Sequence, residues 1–252
     1  MNIDGKVIVI TGAARGIGQE YARYLGALGG CIVAADINDC SITLDLIKKS
    51  AGKAIATKLD VASAASAIDM ARAALDAFGR IDALINNAAL FGDLRGGRFD
   101  AISENDWDAA MAVNVRGVWN CCKAVVPALR QNGGGSIVNI ASLAASYGMP
   151  YGLHYTTSKA AVVGLTRGLA RELGRDNIRV NAVAPSIVLT DAARHFFGEK
   201  FDRALEAIKD GQSIARNLVP ADLVGTVHWL VSDASQLVTG QTIAIDGGTV
   251  MH

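Results

Sequence analysis

The chain has 252 residues, 51% hydrophobic and 19% charged, which excludes a disordered polymer and suits one large core or two small ones. Lysine plus arginine equals aspartate plus glutamate at 24 each, so no net charge recommends nucleic acid or an anionic membrane as a partner. No apolar run reaches the roughly 18 residues of a membrane helix, and Met1-Asn2-Ile3-Asp4-Gly5-Lys6 shows no signal pattern, so a cytoplasmic protein without membrane contact is expected.

Val7–Ile10 is a β-branched run that reads as a buried strand. Thr11-Gly12-Ala13-Ala14-Arg15-Gly16-Ile17-Gly18 follows at once, and helical patterning continues from Gln19 to Leu28. Strand, glycine turn and helix in that order predict a dinucleotide site. Glycines let the backbone approach a pyrophosphate, and the helix start supplies unpaired N–H groups. Cys31–Ala35 is the second strand, closed by Asp36 at the position where a carboxylate reads the adenosine ribose. A carboxylate there repels a 2′-phosphate and favours NAD over NADP; Arg15, in the glycine loop, is the counter-signal.

The alternation then continues. Ser41–Ser50 is helical, Lys53–Leu59 a strand with Asp60-Val61 just beyond it, and Ser63–Phe78 helical. Asp82–Ile85 is a fourth strand running into Asn86-Asn87-Ala88-Ala89. Those asparagines are suited to tying neighbouring loops together, to touching a ribose, or simply to a polar turn. Residues 91–99 form a loop, and a long helical stretch from Ser103 to Gln131 carries Asn114 in an apolar face, where its amide needs a partner. Trp107, Met111, Val115, Trp119 and Cys122 recur along this stretch, either as a stripe for a second subunit or as a face toward the sheet.

Ser136–Ile140 is the fifth strand, and Ser142 beyond it is either a capping residue or a hydrogen-bond donor in a site. Tyr155 and Lys159 lie four apart in a helix running to Leu173, so they share a face. An ammonium beside a phenol pulls the tyrosine pKa down from its reference near 10 and makes a general base. Ile178–Val183 is a sixth strand, residues 187–216 show no clear strand character and suit a substrate lid, Ala221–Leu230 is helical, and Gln241–Ile245 is a seventh strand. No linker or repeat divides residues 1–252, which predicts a single-domain, doubly wound α/β fold of Rossmann type. Cys31, Cys40, Cys121 and Cys122 lack ligand or disulfide spacing, and His154, His195, His228 and His252 lack paired ligand spacing, so buried thiols and no metal are expected.

Over almost its whole length the chain resembles the shorter branch of the short-chain dehydrogenase/reductase family. Thr11-Gly12-x3-Gly16-Ile17-Gly18 looks like its cofactor loop, Asp60-Val61 its adenine contact and Asn86-Asn87-Ala88 its fourth-strand motif. Asn114, Ser142, Tyr155 and Lys159 fall where that family places its catalytic tetrad, while Pro185, Val188 and Thr190 fall at cofactor positions. Ala89 and Ser186 depart from the usual glycines. The resemblance implies an NAD-linked oxidoreductase, most like bacterial secondary-alcohol dehydrogenases of the 1-phenylethanol type, and a homotetramer. It implies that Tyr155 takes the hydroxyl proton, Lys159 holds the nicotinamide ribose, Ser142 orients the substrate oxygen and Asn114 holds a water near Lys159. Leu94, Leu143, Met149, Tyr151, Leu153, Phe196 and Phe197 offer an apolar mouth for a neutral aryl or alicyclic alcohol or ketone. An NADPH-linked ketone or 3-oxoacyl-[acyl-carrier-protein] reductase is the alternative; a sensor that binds the dinucleotide without turnover is a third reading.

Overall fold

In the computed structural model, which describes residues 1–251, the apolar runs become strands β1 (Val7–Thr11), β2 (Cys31–Asp36), β3 (Lys53–Lys58), β4 (Ala83–Asn86), β5 (Gly135–Ile140), β6 (Ile178–Pro185) and β7 (Thr242–Ile245). The helices are α1 (Gly16–Ala27), α2 (Ser41–Lys48), α3 (Ala64–Phe78), α4 (Glu104–Met111), α5 (Gly117–Gln131), α6 (Ala144–Tyr147), α7 (Leu153–Leu173), α8 (Asp191–Phe197), α9 (Phe201–Asp210) and α10 (Ala221–Val231). His252 lies outside the described residues.

The strands form one parallel sheet in the order β3-β2-β1-β4-β5-β6-β7, the doubly wound arrangement that the alternation predicts. Val7 and Val9 point into one helical layer with Met70, Val125 and Leu129, while Ile8 and Ile10 point into the other with Tyr21 and Leu25. Because both faces are covered, every residue of β1, β2 and β4 is buried, and these strands read as unbroken apolar runs. The chain leaves β1 toward β2 on one side and returns to β4 on the other. The loops after these two strands therefore part and open a crevice at the sheet's carboxyl edge.

The four cysteines are free and buried, as expected. Burial pushes the thiols of Cys40 and Cys122 up to about 11 and about 12, so neither is a ready thiolate. No helix among the described residues is long and apolar enough to cross a membrane.

Two stretches differ from the sequence reading. The Ser103–Gln131 region is interrupted by a π turn over Ala112–Arg116, with Asn114 at its middle. The 187–216 segment contains α8 and α9, because Phe201 and Leu205 stand one turn apart and are both buried, an amphipathic signal too short to outweigh the surrounding charges. The Trp107 stripe divides: Cys122 is buried in the core, whereas Trp119 is 47% exposed with Lys123 Nζ 5.0 Å from its ring centroid.

Candidate active site

The glycine loop at the end of β1 is packed too closely for side chains. A Cβ on Gly18 would lie 2.1 Å from the Gly12 carbonyl oxygen, and one on Gly12 would lie 2.8 Å from Ala88 Cα. Gly16 is different: its φ is +61° and its nearest neighbour would be Thr190 Cγ2 at 4.0 Å, which leaves a gap at the start of α1. Asn87 locks the loop, its amide donating to the Thr11 and Gly12 carbonyls at 3.0 and 3.1 Å. Thr11 Oγ1 accepts in return from the Asn87 and Ala88 N–H groups at 3.0 and 2.9 Å. Loop tying is thus the reading observed for Asn87, while buried Asn86 donates to Asn139 Oδ1 at 2.9 Å.

Arg15 is exposed at the N-cap position of α1, and no side chain caps that helix, so its first N–H groups are left for an external acceptor. Ile17 is half-buried in the first turn behind them. Asp36 is held by the same loop: Oδ2 accepts from the Ala14 N–H at 2.9 Å, and Oδ1 accepts from Asn38 N–H and Nδ2 at 2.8 and 3.1 Å. Val61 is buried, its carbonyl fixed by Asn120 Nδ2 at 2.9 Å, whereas the exposed Asp60 turns back to accept from the Ala62 N–H. A gap at an uncapped helix start beside a carboxylate fits the pyrophosphate and ribose of a dinucleotide.

Across the crevice, Tyr155 and Lys159 share a face of α7 as their spacing predicts, with Lys159 Nζ 5.6 Å from the phenol ring centroid. Lys159 is buried and donates to the Ile140 carbonyl at 2.7 Å; burial pulls its pKa down to about 8. Burial likewise pushes the Tyr155 phenol up to about 12, against a hydrogen bond from Ser142 that acts to lower it. In the protein without cofactor the ammonium does not by itself acidify the phenol. Nζ is engaged by a backbone carbonyl, and desolvation outweighs its attraction for a phenolate. Ser142 Oγ also accepts from the Ala144 N–H at 3.1 Å, a turn bond just before α6, whose N-cap is Leu143.

Asn114 is almost fully enclosed. Its Oδ1 accepts from the Leu90 N–H at 2.7 Å, and its Nδ2 donates to the Leu90 carbonyl and to Ser158 Oγ, both at 3.0 Å. Both amide hydrogens are therefore engaged by protein, and the geometry gives Asn114 a tether on Leu90, leaving one Oδ1 lone pair for any water.

The mouth is assembled from three distant segments. Phe196 and Phe197 of α8 come together with Phe91 and Tyr155, whereas Tyr151 and Leu153 are exposed and Leu94 is buried under the loop. Leu143 lines instead a separate cleft of about 830 Å³ between α7 and β7 that contains none of the tetrad side chains. Pro185 closes β6, Val188 bridges to Leu218, and Thr190 caps α8 through a bond from the Ala193 N–H at 3.2 Å.

Residues 12–250 match the family described as Enoyl-(Acyl carrier protein) reductase. The 3-oxoacyl-[acyl-carrier-protein] reductase FabG of Thermotoga maritima is 38% identical over 255 residues, covering 100% of each chain. The chain is a short-chain dehydrogenase/reductase. The probable galactose dehydrogenase GalD of Rhizobium meliloti is 35% identical to this dehydrogenase/reductase over 96% of its length and 93% of the relative's. Carveol dehydrogenase from Mycobacterium avium, solved in complex with NAD, matches it with a TM-score of 0.92 at 30% identity over 98% of each chain. Levodione reductase matches with the same TM-score at 28% identity over 97% of each chain.

Two residues of the dehydrogenase/reductase site escape the sequence reading. Ser158 bridges Asn114 to the Tyr155 carbonyl, to which its hydroxyl donates at 2.7 Å, and its i+3 position on the same helix was the available signal. Phe91 carries no signal of its own, since nothing near it in sequence announces the rings it meets.

Lys159 makes a pH signature that needs no turnover. Its pKa near 8 in the fold, against 10.5 unfolded, means the unfolded chain binds more protons between those values. Stability through this group therefore rises with pH across that window, by on the order of 3 kcal/mol. Denaturant unfolding is expected to show the dehydrogenase/reductase gaining stability relative to Lys159→Met from pH 7 toward pH 10. A difference independent of pH would place the ammonium in a better-solvated setting.

Proposed function

We propose that this enzyme transfers hydride between NAD and a neutral secondary alcohol or ketone with an aryl or alicyclic substituent. The observation that carries this reading is the aromatic packing on the candidate base: the Phe91 ring centroid lies 4.6 Å from that of Tyr155, with Phe196 and Phe197 behind it. Arg98 beside this mouth is paired with Asp100 at 3.1 Å. An apolar wall favours a neutral organic substrate over a phosphorylated one.

Gly12, Gly16 and Gly18, with the exposed N–H groups of α1, would hold the pyrophosphate, and Asp36 the adenosine ribose. Lys159 would hold the nicotinamide ribose, and Pro185, Val188 and Thr190 would border the ring. The cofactor, when bound, supplies the hydride acceptor or donor. In oxidation, Tyr155 as phenolate takes the proton of the substrate hydroxyl, and in reduction it returns that proton. Ser142 donates to the substrate oxygen and fixes its orientation. Asn114 positions the loop entering the mouth through its grip on Leu90. Exposed Trp119 beside half-buried Met111 and Val115 suits the homotetramer that the family likeness implies.

The second reading, a 3-oxoacyl thioester reductase, draws on the activity for which the Thermotoga maritima relative is named. Secondary alcohols, their ketones and a 3-oxoacyl thioester, each offered with both nicotinamide cofactors, separate the two by absorbance of the reduced form. NAD reduction by 1-phenylethanol-like alcohols is expected. Turnover confined to the thioester with NADPH would replace this reading by the second.

A further inference from the structure

The ring of Phe91 lies between two others. Tyr155 lies 4.6 Å away at 41°, and Phe196 is stacked on it at 4.5 Å and 20°. Tyr155 and Phe196 make no ring contact with each other, so they occupy opposite sides of Phe91 and cover both of its faces. Phe197 meets the ring at 6.5 Å and 71°, so part of its rim is also taken and only the rest of the edge remains free. The position is rigidly set, because Leu90, the preceding residue, is bonded through both its N–H and its carbonyl to Asn114. On the other side the Gly97 N–H donates to the Tyr151 carbonyl at 2.8 Å, and Gly92 packs against Ala192, where a Cβ would meet its carbonyl at 3.0 Å. Phe91 is thereby clasped among the π turn, the start of α7 and α8.

An aromatic edge carries partial positive charge and prefers the face of another π system. A saturated ring of the same size buries similar area but offers no such face. The geometry points to Phe91 as a specificity-determining residue, whose fixed ring edge selects a flat aromatic substituent on the carbinol or carbonyl carbon over an alicyclic one. This rests on the alcohol/ketone reading above and narrows it to aryl substrates. Slipping a substituent between Phe91 and Tyr155 is blocked, so the substituent must lie beside the pair, against that edge.

The test compares wild type, Phe91→Leu and Phe91→Tyr on 1-phenylethanol, its cyclohexyl counterpart and a short aliphatic secondary alcohol. In Phe91→Leu the phenyl-to-cyclohexyl ratio of kcat/KM is expected to fall roughly three- to tenfold, with the short alcohol falling less than the phenyl one. Phe91→Tyr keeps an aromatic edge and should keep the ratio. An unchanged ratio in Phe91→Leu, or an equal fall on all three alcohols, overturns the assignment; the latter makes Phe91 a mere support for Tyr155. Calorimetry of acetophenone and cyclohexyl methyl ketone on the NADH-loaded protein reads the same selection without turnover. If no alcohol is oxidised yet acetophenone binding retains its Phe91-dependent advantage, the alcohol reading fails and the aromatic preference stands. Equal binding of the two ketones in wild type removes the preference itself.

Discussion

Replacing Tyr155 by phenylalanine is expected to lower turnover by about 10²–10⁴-fold in both directions while leaving NADH affinity within a few-fold. The variant keeps the ring, and so keeps the packing against Phe91 at 4.6 Å, but loses the only oxygen hydrogen-bonded to Ser142 on α7 that can carry the substrate proton. The loss in oxidation should be smallest at low pH and grow as pH rises, because burial holds the phenol up at about 12 in the protein alone and the phenolate is scarce at low pH. A positive nicotinamide ring bound beside the phenol adds the charge that favours the phenolate. Wild-type oxidation rate should therefore climb with pH, and NADH titration by fluorescence should show the variant still loading. Turnover surviving in Tyr155→Phe at near wild-type rate, with a normal pH profile, would remove Tyr155 from the proton path.

The second large effect is expected at Asp36. Asp36→Asn should lower the NAD-over-NADP ratio of kcat/KM by about 10²–10³, since a like charge against a bound phosphate costs several kcal/mol and each 1.4 kcal/mol is tenfold. Asparagine is the informative substitution because it keeps the size of the side chain and one acceptor oxygen while removing the charge, though that oxygen can serve either the Ala14 N–H at 2.9 Å or the two donors of Asn38, not both. Exposed Arg15 stands in the same loop and should then contribute to a 2′-phosphate site, so NADP should improve as well as NAD weaken. Initial rates with both cofactors at several concentrations decide this, and a wild type already favouring NADP would refute the ribose argument.

These two residues were legible for different reasons. Asp36 ends a short apolar run at a fixed distance beyond the glycines, so its place at the sheet's carboxyl edge follows from strand, turn, helix and strand in sequence. Tyr155 and Lys159 were legible because a helix brings residues four apart onto one face. Asn114 and Ser142 were named through family likeness, since each alone reads equally as a capped helix end or a paired core amide. The direction of the Tyr155 shift in the protein alone is not contained in any sequence pattern. It depends on Lys159 bonding the Ile140 carbonyl at 2.7 Å, a partner on a different strand, and on how much water remains around both groups.

By itself the sequence determined the alternating elements, the doubly wound sheet, the glycine cradle with its carboxylate, and the pairing of phenol with ammonium. All of these rest on periodicity, on backbone sterics or on residues a turn apart, which are local properties. Tertiary structure alone decided the tether from Asn114 to Leu90, the clasp on Phe91, the exposure of Trp119 and the balance between charge and desolvation at Tyr155. Each of those depends on side chains from segments distant along the chain meeting in a space from which water is largely excluded, and neither the meeting nor the exclusion is written in any one segment.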